Sequence, residues 1–190
     1  SYVLVDYVEK TCLDVIAITN HNLFDFSQFQ EIKGALKNII VLPGIEVDLE
    51  KGHVLVIANN DESTLFDFNA KCGEIKNQIH TEHDYITFDT FSRIFGDLGK
   101  YLIIPHYDKD PKLNNDVIEK FANNVLAGEV SSVKKFIYMQ KEETETLTPV
   151  LFSDIRIEKG LKAEDYPVSH TFFDIDEVNI SSLKLCLMDK

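Results

Sequence analysis

The sequence has three cysteines in 190 residues, Cys12, Cys72 and Cys186, and no two of them form a CxxC pair. That spacing excludes a zinc-finger framework and a dense disulfide scaffold; reduced, mostly buried thiols in a cytoplasmic protein are expected instead. Basic residues are scarce as well, with 19 Lys and Arg against 32 Asp and Glu and a formal net charge of −13. Gripping a phosphate backbone requires a basic footprint, so direct nucleic-acid binding by this domain alone is not expected. The acidic excess reads as a solvated surface, with some carboxylates available to gather around metal ions. No apolar run approaches the roughly 18–20 residues of a membrane span. Residues 1–14 carry acids in an amphipathic pattern, unlike the basic start and apolar run of a signal peptide. A glycine-rich phosphate loop is missing after every candidate strand, which disfavours a nucleotide-binding open sheet. Internal repeats and low-complexity segments are absent too.

What is present is an alternation of strands and helices over a length suited to one sizeable core. A single domain over residues 1–190 is expected, and because both ends fall within helical patterns it reads as part of a longer polypeptide. Residues 2–12 have helical spacing with Val5, Val8 and Cys12 inward. The run DVIAIT (14–19) reads as a buried strand, and Ser27 as the cap of a helix reaching Lys37. Residues 39–42 form the next strand, stopped by Pro43-Gly44, and residues 46–58 read as a hairpin turning at Lys51-Gly52. Helices follow at 63–72, 87–98, 115–123, 131–141 and 181–190, and strands at 101–105, 125–130, 149–153 and 171–175. This order implies a parallel α/β sheet, open or closed. Polar residues concentrated at the carboxyl ends of the strands favour a barrel.

Those strand ends carry the chemistry. DVIAIT is followed by Asn20, His21 and Asn22; IIVLP by Gly44, Ile45 and Glu46; YLIIP by His106; and PVLF by Ser153, Asp154, Ile155 and Arg156. His53 stands at the head of the hairpin's return strand. Three imidazoles and two carboxylates on one rim are metal-ligand types that suit zinc, manganese or iron, and a shared carboxylate can bridge two ions. His80 and His83 read as exposed loop residues, because helical apolar periodicity is missing around them, and His170 reads as surface.

The order Thr19-Asn20-His21, Gly44-Ile45-Glu46, Gly52-His53, Pro105-His106 and Ser153-Asp154-Ile155-Arg156 resembles the motifs of the PHP (polymerase and histidinol phosphatase) domain over nearly the whole chain. In that family a TDH follows the second strand, a GxE the third, and a closing SDxH ends the pattern. The tail, with Thr171-Phe172-Phe173-Asp174 and Ser181-Ser182-Leu183-Lys184, resembles PHP modules that precede an AAA or SMC-like ATPase. The resemblance implies a distorted, TIM-like (βα)7 barrel, incomplete at its first strand. It also implies hydrolysis of a phosphate ester with divalent ions and a downstream ATPase domain as partner. The ligands implied are Asn20, His21, Glu46, His53, His106 and Asp154, with Glu46 bridging and Arg156 holding the ester.

The sequence departs from the family at three points. No HxH pair is present, Asn20 stands for an aspartate and supplies no negative charge, and Arg156 puts a fixed cation in place of the closing histidine. Fewer ions than the family's three are therefore expected, with weak turnover or none. Two other readings stay open: a catalytically impaired PHP-like scaffold for the ATPase, and an amidohydrolase-type barrel. The latter lacks its HxH and its central-strand lysine.

Overall fold

The computed structural model of the chain describes residues 2–141 and 147–188. Its elements are α1 (Tyr2–Thr11), β1 (Val15–His21), α2 (Phe26–Ala35), β2 (Ile40–Leu49), β3 (Gly52–Ile57), α3 (Glu62–Gln78) and α4 (Phe88–Phe95). After them come β4 (Leu102–Asp108), α5 (Asn115–Ile118), β5 (Ala127–Val130), α6 (Val133–Lys141), β6 (Thr148–Val150) and α7 (Ile180–Met188). The strands form one six-stranded sheet in chain order. β1 pairs with β2, β4 with β5 and β5 with β6 in parallel, whereas β3 runs antiparallel to both β2 and β4. The reversal at β3 follows from its turn: a short link can only return a strand antiparallel, since a parallel return needs a long crossover.

Side-chain alternation gives the sheet two unlike faces. One face presents Ile16, Ile18, Val41, Ile45, Val47, Val54, Val56 and Ile103 to the larger core, which α1–α4 complete with Val8, Phe29, Phe68 and Phe91. The opposite face begins apolar. Val15, Ala17, Leu42, Leu55, Ile57, Leu102, Ile104, Ala127 and Val150 pack there under Ile180, Leu183 and Leu187 of α7. Continuing along that same face toward the carboxyl ends of the parallel strands, the register reaches His21, Glu46, Asp48, His106 and Glu129. One face thus has a dry end and a polar end.

Several local expectations are corrected. β2 is not stopped at Pro43-Gly44 but runs through both residues. Pairing with β3 begins only at Gly44, so the missing N–H of Pro43 interrupts no hairpin bond, and its carbonyl accepts from the Ala58 amide at 2.9 Å. Gly44 is required at that position because a Cβ would lie 2.7 Å from Thr19 Cγ2. The cap of α2 is Asp25 rather than Ser27, its carboxylate accepting from the Gln28 amide. Residues 171–175 form no strand; Thr171 joins the end of β6 through its hydroxyl, which bonds both the amide and the carbonyl of Leu151. The sheet accordingly has six strands where seven were expected. Of the thiols, Cys72 is buried, Cys186 half-buried and Cys12 exposed. No helix among the described residues is long and apolar enough to cross a membrane.

Candidate metal centre

β1 ends at His21 and β2 carries Glu46 and Asp48 two residues apart, so the strand period points both carboxylates to the same face. The turn after Leu49 brings β3 back with His53 opposite Asp48. That turn is fixed by Gly52, whose φ of 139° favours glycine and whose α-carbon faces the backbone of Lys112 and Leu113. The loop after β4 closes over it: the His53 amide donates to the Pro111 carbonyl (3.2 Å) and the Leu113 amide to the His106 carbonyl (2.8 Å). Backbone bonds from one loop therefore set the positions of two of the histidines.

The imidazoles of His21, His53 and His106 stand in a row, with ring centroids 5.1 Å and 5.3 Å apart. His21 Nε2 lies 2.6 Å and His53 Nε2 2.7 Å from the same Asp48 oxygen, and His53 Nδ1 lies 2.8 Å from Glu46. The amide of Asn22 donates to the other Asp48 oxygen at 2.8 Å. Two overlapping sets of ligand atoms result: His21, Asp48 and His53, and Glu46, His53 and His106. Each set has the three protein ligands that a catalytic zinc or related ion takes while leaving a position open.

Burial works against charge on Asp48, Glu46, His53 and His106, and hydrogen-bonded partners outweigh it at the first three. Asp48 is disfavoured as an anion by burial, yet hydrogen bonds from His53, Asn22 and His21 hold its carboxyl down to about 2. Glu46 is lowered in the same way by His53 and the charges near it. Burial likewise opposes charge on His53, but Asp48 and Glu46 outweigh it and raise the ring to about 9. At His106, burial and then the Lys109 ammonium push the ring down to about 4. His106 is therefore neutral at pH 7, and its 3.4 Å approach to Glu129 is not an ion pair.

The donor set fits a divalent ion. His106 is 2% exposed, yet neither ring nitrogen has a hydrogen-bond partner. A buried polar group of that kind needs an explanation, and a neutral imidazole with a vacant lone pair beside two carboxylates is suited to metal coordination. His21, Asp48 and His53, or Glu46, His53 and His106, are the residues that would hold the ion.

The remaining expected site residues divide. Asp154 sits at the exposed rim of the same region, in the left-handed conformation (φ 46°), with its carboxylate 3.0 Å from Lys109. The neighbouring Ser153 is anchored through its hydroxyl, which accepts from Tyr7 of α1 and donates to the Ser169 carbonyl. Asn20 is not brought into the cluster: it points to the other face of β1, where its amide donates to Gln28 of α2 at 2.6 Å. Arg156 is exposed and makes no hydrogen bond or ion pair among the described residues. His80 and His83 are exposed. His170 is half-buried rather than on the surface, edge-on to Phe172 at 5.0 Å. Sequence reasoning missed Asp48, Lys109 and Glu129. For Asp48 a signal existed, since it stands two residues beyond Glu46 in a strand.

These clustered histidines and carboxylates form a metal-binding arrangement of the kind metal-dependent hydrolases use, on a mixed α/β scaffold. Comparison with protein-family models and with curated proteins returns no match for this chain.

Proposed function

We propose that the chain is a metal-dependent phosphoesterase module of the PHP type, a distorted TIM-like barrel acting on phosphate esters beside an ATPase domain of the same polypeptide. One observation carries the reading: buried, unpartnered His106 faces a cluster that shares His53 between two ligand sets. Further support comes from the motif resemblance and from the location at the carboxyl ends of the parallel strands, where α/β enzymes keep their chemistry.

When bound, a divalent ion supplies Lewis acidity toward a phosphoryl oxygen and toward water. The chain's own residues do the rest. Glu46 and Asp48 concentrate negative charge to hold the ion, and His53 gives up its proton to become a ligand, so binding is coupled to pH. Asn22 orients Asp48 by its 2.8 Å bond. Arg156, exposed near Asp154 in sequence, is the group in this reading that meets the ester's charge, because a guanidinium pairs with phosphate bidentately.

A second reading, a catalytically impaired scaffold, is favoured by a separate observation: Lys109 already neutralises Glu129 and Asp154, carboxylates that a multi-ion centre would use. The two are separated by measuring Mn2+ binding and hydrolysis of an aryl phosphate and an aryl phosphodiester, with Glu46→Ala as control. Metal-dependent turnover abolished by Glu46→Ala supports the enzyme. Binding without turnover supports the scaffold. Absence of tight binding removes the metal centre from both.

A further inference from the structure

Next to the shared cluster lies a second group of ligand-type side chains that already contains a cation. Lys109, at 16% side-chain exposure, places its ammonium 2.9 Å from Glu129 Oε1 and 3.0 Å from Asp154 Oδ2. Glu129 is 1% exposed, and its second oxygen has no hydrogen-bond partner. That free oxygen faces His106 Nε2, also unpartnered, at 3.4 Å. An imidazole and two carboxylates gathered around an ammonium, with unused lone pairs on buried atoms of His106 and Glu129, have the composition of a metal site, although their ligand atoms are not drawn as close to one another as those of the two sets that share His53. The ammonium occupies it.

We propose that Lys109 is a built-in counter-ion standing where a second metal ion would otherwise sit, so that the chain holds a single divalent ion, in the cluster that shares His53. This rests on the metal-centre reading above. Burial makes the carboxylate of Glu129 costly unless a cation accompanies it, and a lysine tethered one residue beyond β4 supplies that cation permanently. A divalent ion bound to the same Glu129 oxygen would lie within a few ångströms of the ammonium, and like charges in a buried site repel strongly. Occupancy by Lys109 and by a second ion therefore exclude each other. The consequence for chemistry is a mononuclear centre flanked by a fixed positive charge.

The test is Mn2+ stoichiometry by equilibrium dialysis and elemental analysis, with excess Mg2+ to cover weak surface carboxylates. The wild-type chain is expected to bind one ion tightly, and Lys109→Arg to do the same. Lys109→Met is expected to bind two, and Lys109→Met combined with Glu129→Gln to return to one. Thermal melts give an independent readout: Lys109→Met melts below wild type without metal, and Mn2+ raises its Tm by more than it raises that of wild type. Two tight ions on the wild-type chain overturn the proposal without touching the metal-centre reading. A folded Lys109→Met that still binds only one ion also overturns it. No tight ion on wild type overturns the metal-centre reading and this inference together.

Discussion

The rings of His53 and His106 stand 5.3 Å apart, both largely buried, and yet are shifted in opposite directions. His53 lies between two carboxylates and is held cationic; His106 is held neutral by burial first and by the Lys109 ammonium second. Whether carboxylates offset the cost of burial, not residue type, sets the charge of each ring. His53 also belongs to both ligand sets, so its loss damages either one. For His53→Ala, Mn2+ affinity measured by calorimetry is expected to fall by more than the ~10–100-fold typical of losing an outer-shell partner. Exposed His83→Ala is expected to leave affinity unchanged. Equal effects from the two substitutions would rule out the assigned cluster.

Helix ends show how local side chains set element boundaries. α3 starts where Asp61 accepts from the Thr64 amide at 3.0 Å and from the Ser63 hydroxyl at 2.8 Å. Those hydrogen bonds, that to Thr64 foremost, hold its carboxyl down to about 2. A depressed carboxylate stabilises the folded state fully above its unfolded pKa, near 3.8, and loses that contribution as pH falls through about 2. Asp61→Ala is accordingly expected to cost about 0.5–2 kcal/mol at pH 7, the usual loss of an N-cap. The gap between variant and wild type, measured by urea unfolding at pH 7, 4.5 and 3, is expected to narrow at the lowest value. A gap that stays constant would show that the cap does not act through its ionised form.

At the scale of the whole molecule, one sheet face serves two purposes. Its apolar end is sealed by α7, and its polar end bears the cluster. Leu183 is 5% exposed there, so Leu183→Ala is expected to cost about 2–5 kcal/mol through lost burial and a residual cavity. Because α7 packs at the opposite end of the face, Mn2+ affinity of the folded variant is expected to match wild type. Chemical denaturation and calorimetry on the same preparation check both statements, and a matching loss of affinity would mean the two ends are coupled.

How much of this was legible in the sequence differs by level. The hairpin around Lys51-Gly52, most helices and His21, Glu46, His53 and His106 could be read because each is encoded locally, by a turn residue, a period or a position after an apolar run, although His21, Glu46 and His106 lie within β1, β2 and β4 rather than past them. β2 crossing Pro43-Gly44 could not be read that way, since whether a missing N–H matters depends on where the neighbouring strand begins to pair. The expected strand at 171–175 failed for a similar reason: its apolar residues are used to cover α7's end of the sheet, with Phe173 and Ile175 packed on that cluster. The outward turn of Asn20 follows from strand alternation once β1 is in register with β2. His21, Glu46, His53 and His106 follow from the sequence alone, because ligand chemistry resides in side-chain types and each stands at the end of an apolar run or beside a turn. Which of the other charges meet is settled in the folded chain alone: Asp48 against His21, and Lys109 between Glu129 and Asp154, are contacts between residues 20 to 45 positions apart that no local pattern records, whereas Asp48 meets His53 across the short hairpin turn.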